Sequence, residues 1–225
     1  MDAYFAPESA ARFHWRTTLM LNYRFVAKLF AGLFGVSCVG NLLVLQVAPK
    51  SQPGGVFLYA IPLVIGFLVL FEWAEVRNLR KHIESVVTRD EDYPAASIWL
   101  SAVLEAIAPL AGFALIGGLI GWQTALGGPP LIGIIVIPVI SILRLDYRIC
   151  LMQGVVGGLG YWLMLGMALG QSNTDLLAEG AAVQIGKGVL VIGTGVLAGV
   201  IAHQNRQRLQ EVIQGMDTAN ENEYH

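Results

Sequence analysis

The sequence predicts an all-α polytopic membrane protein. Six transmembrane helices are expected, with both termini cytoplasmic and an exit helix continuing from the sixth span. Three observations carry this. Of 225 residues, 55% are hydrophobic and only 13% charged, with mean hydropathy +0.61, whereas soluble domains carry about 25% charged residues. Several apolar runs approach the roughly 20 residues that cross a hydrocarbon core of about 30 Å. The cations, finally, fall almost entirely on one side of the resulting topology. Positively charged flanks stay cytoplasmic, so side matters and the net charge of −2 decides nothing.

Residues 1–24 mix Phe5, Phe13, Trp15 and Tyr23 with Arg12, Arg16 and Arg24. Such rings and long cationic side chains suit the headgroup region, so a short interfacial helix is expected. The segment has no continuous apolar core and is not expected to be a cleaved signal peptide. The transmembrane domain is expected over residues 25–202. Its first span runs from Phe25 to Val47, with small residues at Gly32, Gly35, Ser37 and Gly40 and a lone polar Asn41. A loop with two helix breakers, Pro49 to Gly54, follows. The second span runs from Val56 past Phe71, with Pro62 as a kink candidate. It continues in helical phase through Glu72, Glu75, Arg77, Arg80 and Lys81, expected as a charge cluster at an interfacial helix end.

A charged loop from Arg89 to Pro94 leads to the third span, Ile98 to Ile120, which holds Glu105 and Pro109. An outward loop at Gly121–Gly128 and the pair Pro129-Pro130 precede a short fourth span ending at Leu143, with Pro138 inside it. Ser141 to Arg148 is a charged interruption between two apolar runs and predicts a tight turn at the membrane surface. The fifth span follows from Tyr147 to Leu169 and the sixth from Ala181 to Ala202. Residues 203–225 are the cytoplasmic exit helix and tail. In this arrangement Arg12, Arg16, Arg24, Lys28, Arg77, Arg80, Lys81, Arg89, Arg144, Arg148, Arg206 and Arg208 are cytoplasmic; Lys50 and Lys187 lie opposite.

Lipid tails supply little hydrophobic drive between helices, so small residues that let backbones approach take its place. Gly154 and Gly158, Gly166 and Gly170, Gly195 and Gly199, and Gly117 and Gly121 are each four apart. They suit packing within the bundle or a dimer seam. Cys38 and Cys150 fall at different depths and are expected as unpaired small hydrophobes.

Glu105 is the foremost site candidate, because a carboxylate inside a membrane is costly. It is expected to line a polar pocket or to pair with Arg144 or Arg148, and Asp146 is a second carboxylate near those arginines. Lys187 either snorkels to the outer interface or meets an anionic group. Ala202, Asn205, Leu209, Val212 and Met216 follow three-four spacing and suggest a short seam with a polar position at Asn205. Such a helix can carry movement to an output domain. No phosphate-binding loop, zinc-protease motif or Cys-x-x-Cys is present, and the histidines lack metal-ligand spacing. Neither a catalytic set nor a nucleic-acid site is expected. A small transporter or channel using Glu105 is the alternative.

Several stretches together carry a resemblance. They are Leu104-Glu105-Ala106-Ile107-Ala108-Pro109, Pro129-Pro130, Ser141-Ile142-Leu143-Arg144-Leu145-Asp146-Tyr147, Gly160-Tyr161 and Gly186-Lys187-Gly188. From about Tyr23 to Arg208 the chain resembles the six-helix membrane anchor of bacterial class III adenylate/guanylate cyclases. The resemblance implies a multi-pass protein of the inner (plasma) membrane that anchors, dimerises and receives an unknown signal. It also implies a cytoplasmic catalytic domain after the exit helix, converting ATP to cyclic AMP with Mg or Mn. Residues 1–225 contain no such domain, so no cofactor or catalytic residue is expected within them.

Overall fold

The computed structural model describes residues 7–47, 60–89, 95–119, 121–127, 129–170 and 180–223. Every element among them is helical: α1 (Pro7–Val47), α2 (Ala60–Arg89), α3 (Ala95–Leu119), α4 (Trp122–Gly127), α5 (Pro129–Ser141), a 3-10 turn (Ile142–Arg144), α6 (Tyr147–Gly170) and α7 (Ala181–Glu223). The expected loop around Lys50, the loop from Asp90 to Pro94 and the link 171–179 lie outside the described residues, as does the side chain of Asn41.

Four helical stretches are long and apolar enough to cross a membrane: Trp15–Val36, Ala96–Gly118, Tyr147–Gly170 and Ala181–Gly215. The bundle's surface agrees, with Leu63, Leu70, Leu163 and Leu197 all more than 60% exposed. A surface so rich in large apolar side chains suits lipid rather than water. Two expected spans fall outside this set. α5 is only 13 residues long, and α2 carries Glu72, Glu75, Arg77, Arg80 and Lys81 from its middle onward.

Three local expectations change. The N-terminal segment is not a separate helix: α1 runs unbroken from Pro7 through the first span, since no glycine or proline interrupts residues 8–31. Pro62 sits in the first described turn of α2, where the ring is tolerated; the prolines within helices are Pro109 and Pro138. The outward loop expected at Gly121–Gly128 contains the short helix α4. Its Trp122 packs over Gly117, where a Cβ would lie 2.5 Å from the indole.

Small residues set the closest contacts. α6 and α7 meet at Gly154 and Gly195, where a Cβ on either would come within 2.5 Å of the other's Cα. Gly158 faces Ile192, and Gly188 receives the Trp162 ring. These glycines therefore pack within the bundle. Gly166, Gly170, Gly186 and Gly193 have nothing within 4 Å of a built Cβ. Among the described residues both cysteines are free: Cys38 Sγ lies 3.5 Å from the Pro62 carbonyl oxygen, and Cys150 is buried against Ala198 and Ala202.

The apolar core divides by level. Phe113, Trp122, Leu126, Ile134, Tyr161 and Val191 join α3 to α7 at one end. Val26, Phe30, Phe34, Leu68 and Ile137 join α1, α2 and α5. Tyr23, Leu79, Ala102 and Ile149 join α1, α2, α3 and α6. Overpacking a tight core costs about 1–3 kcal/mol. Gly195→Leu should therefore lower the midpoint of thermal unfolding in detergent by several degrees, while Gly193→Leu, on an open face, should leave it near the parent value.

Candidate functional site

The two lower clusters enclose a polar centre. Where α5 ends, the chain tightens into the 3-10 turn and Leu145 takes a left-handed conformation, φ 57°. Its N–H donates to the Ile142 carbonyl at 3.0 Å. Asp146 Oδ1 then accepts the Arg148 backbone N–H at 2.9 Å, satisfying an otherwise orphan donor at the start of α6. This tight reversal turns neighbouring arginines opposite ways: Arg144 is 2% exposed, while Arg148 faces outward.

Arg144 meets Glu105 in a fork-to-fork pair. Nη1 donates to Oε2 at 2.8 Å, and Nη2 donates to Oε1. Glu105 is fully buried. Paired, hydrogen-bonded geometry is the condition under which a buried charge is tolerated. Ser101, one turn earlier on α3, donates to Glu105 Oε1 at 3.0 Å. From α6, Gln153 Nε2 lies 3.1 Å from Glu105 Oε2 and 3.3 Å from the Ala102 carbonyl oxygen. Phe30 of α1 presents its ring 5.7 Å from the Arg144 guanidinium carbon, a cation–π contact.

α2 contributes a second carboxylate. Ser101 Oγ also lies 3.4 Å from Glu72 Oε1. A hydroxyl has one proton to donate, so Ser101 serves one of the two carboxylates at a time, and the shorter contact is to Glu105. Ser97 donates to Glu75 Oε1 at 2.8 Å. The interfacial charge cluster expected at the end of the second span is therefore corrected. Glu72 and Glu75 are buried, while Arg77 and Arg80 of the same helix are exposed. Glu72, Val76 and Leu79 share one helix face, and that face turns inward. A cavity of about 10 Å³ lies among Tyr23, Glu75, Ser101 and Arg144, close to the ~10–15 Å³ that one water requires.

The sequence-derived candidates separate into three places. Glu105 and Arg144 form the centre, and Asp146 and Arg148 shape the adjoining turn. Lys187 lies on α7 eleven residues before Ala198, about 16 Å along the helix from where α7 packs on Cys150 beside the turn. It lies toward the other end of the bundle. There the Tyr161 hydroxyl donates to Gln184 Oε1, a buried pair that sequence reasoning missed. Asn205 and Val212 are exposed on the distal part of α7, with Leu209 half-buried between them. Among the described residues no three His, Cys, Asp or Glu side chains are grouped to hold a metal ion. The chain matches no family model, no curated protein and no solved structure.

The chemistry of the centre is that of a charge lock rather than a reacting group. Removing one half of a buried pair costs about 3–5 kcal/mol, while replacing both halves can be nearly neutral. Arg144→Met should destabilise the bundle by that amount in detergent unfolding. Adding Glu105→Leu to Arg144→Met should recover most of the loss, and a double variant as unstable as the sum of its parts would sink the lock.

Proposed function

We propose that this chain is a membrane anchor and signal-transmitting domain that passes a membrane-side state through α7 to a cytoplasmic output domain. The observation that carries the reading is the unbroken course of α7, 43 residues from Ala181 to Glu223. Such a helix is about 65 Å long, roughly twice the thickness of a hydrocarbon core. Its first part packs closely on α6 through Gly154 and Gly195. Its distal part carries Arg206, whose guanidinium carbon lies 5.6 Å from the Trp15 ring centroid of α1. The 3-10 turn touches it too, since Ile142 packs against the cluster of Cys150, Ala198 and Ala202. A change at the Glu105–Arg144 pair thus has a short physical route to the exit helix.

In this reading six spans cross the inner (plasma) membrane, with both termini and the Arg144–Arg148 turn cytoplasmic. The one-sided cations support that orientation. The motifs around Glu105, Arg144 and Lys187 support a class III nucleotidyl cyclase as the parent, its catalytic domain following α7 and working as a dimer. Asn205 and Val212 are exposed and suited to a homodimer seam. Mg or Mn would belong to the catalytic domain. An unidentified ligand, or the state of the bilayer, would act by binding two arrangements of the bundle unequally. A transporter or channel using Glu105 is less well supported, because both carboxylate oxygens are already held by Arg144, Ser101 and Gln153.

The test is a fusion of a class III catalytic domain after His225, read as cyclic AMP formed in membranes. One residue inserted after Gln214 rotates the output by about 100° and should change activity severalfold, whereas a seven-residue insertion should restore it. Equal activity in all three, or full activity after deletion of residues 25–202 with an artificial dimeriser, would remove the transmission role. Glu105→Gln should produce no gain or loss of ion flux in proteoliposomes; a flux abolished by that change would favour the transporter.

A further inference from the structure

A groove between the start of α6 and the middle of α7 lies outside the buried polar centre and faces outward. It encloses about 600 Å³, within the ≈300–1,000 Å³ typical of ligand pockets. Its polarity changes along its length. Leu151, Val196 and Val200 form an apolar part, and Tyr147, His203, Gln204 and Gln207 form a polar end. Gly199 sets the floor: a Cβ there would come within 3.1 Å of the Tyr147 carbonyl oxygen.

A cation is held beside the polar end. Arg148 Nε donates to the Tyr147 hydroxyl at 3.3 Å, and its guanidinium carbon lies 5.7 Å from the Tyr147 ring centroid. The His203 ring meets Tyr147 edge-on at 5.8 Å and lies 3.1 Å from Gln207 Nε2. The neighbouring carboxylate, Asp146, accepts the backbone N–H of Arg148 and lies close enough to act on its charge, while the Arg148 side chain stays exposed.

We propose that this groove binds an anionic phospholipid, with an acyl chain along Leu151, Val196 and Val200 and the phosphate at Arg148. Tyr147, His203 and Gln204 supply further hydrogen-bond donors. An apolar channel running into a cationic, donor-rich rim matches both halves of such a lipid, and charged donors near a membrane surface select anionic headgroups. A second copy of the chain fits the groove less well. At 3.6 residues per turn, Asn205 and Val212 lie on roughly the opposite side of α7 from Val196, Val200, His203 and Gln207. A dimer through that seam leaves the groove open. The site rests on the membrane-domain reading and is independent of the cyclase output.

The experiment uses the full chain, delipidated in detergent, with phosphatidylglycerol or phosphatidylcholine added and bound lipid counted by native mass spectrometry. Phosphatidylglycerol should be retained in preference. Arg148→Gln should weaken it about fivefold, the equivalent of about 1 kcal/mol, and leave phosphatidylcholine unchanged. Val200→Trp, filling the apolar part, should displace the lipid, while Arg77→Gln on α2 should not; circular dichroism melts check that each variant folds. Undiminished phosphatidylglycerol on folded Arg148→Gln, or its displacement by inorganic phosphate, overturns the site. So does a Val200→Trp chain that keeps its lipid but loses dimer, which would assign the groove to a second copy. Retention of neither lipid, or of both without preference, overturns the site and leaves the membrane reading, which rests on the four long apolar stretches.

Discussion

The bidentate pair between Arg144 and Glu105 is the interaction on which the bundle's arrangement depends. Neither group could occupy its position alone, since an uncompensated buried charge costs several kcal/mol. Satisfying it recruits Ser101 from α3, Gln153 from α6 and the ring of Phe30 from α1. Glu72 brings α2 to the same hydroxyl. Helices in lipid gain little by burying leucine against leucine, so apolar contacts define distance better than rotation. A directional network fixes rotation. Replacing both halves of such a pair by apolar side chains is often nearly neutral, so its net effect on stability is small.

Distance is set elsewhere, by absence of side chains. Gly154 against Gly195 brings α6 and α7 nearly to backbone contact, and Trp162 closes over Gly188 nearby. The ion pair joins α3 to the turn that enters α6, the glycines join α6 to α7, and Ile142 of the turn packs beside Cys150, Ala198 and Ala202. No proline interrupts α7 between Ala181 and Glu223.

Much of this was legible from residue spacing. Glu105 stood out because a carboxylate is expensive in an apolar run, and the turn at Arg144 stood out because charges interrupt bilayer-grade hydrophobicity. The unbroken exit helix followed from the lack of breakers after Ala202. The orientation of Glu72 and Glu75 was less legible. Arginines at 77 and 80 suggested a solvated helix end, and only the shared face of Glu72, Val76 and Leu79 argued otherwise. Gln153 and Gln184 were hidden for a different reason. A single amide in an apolar helix has no local partner, and its role depends on which helix lies opposite. α1 begins well before the expected first span, because the aromatic–arginine alternation at residues 12–24 holds nothing that stops a helix.

α5 is too short to stand by itself in a bilayer. Thirteen residues rise about 20 Å, well under the hydrocarbon thickness of about 30 Å. Only Leu145 and Asp146 separate the 3-10 turn at its end from α6. α5 takes its place from its neighbours: Ile134 joins the cluster built with α3, α4, α6 and α7, and Ile137 joins the one built with α1 and α2. The ion pair at the end of α5 therefore closes a segment whose position is set by every long helix of the bundle.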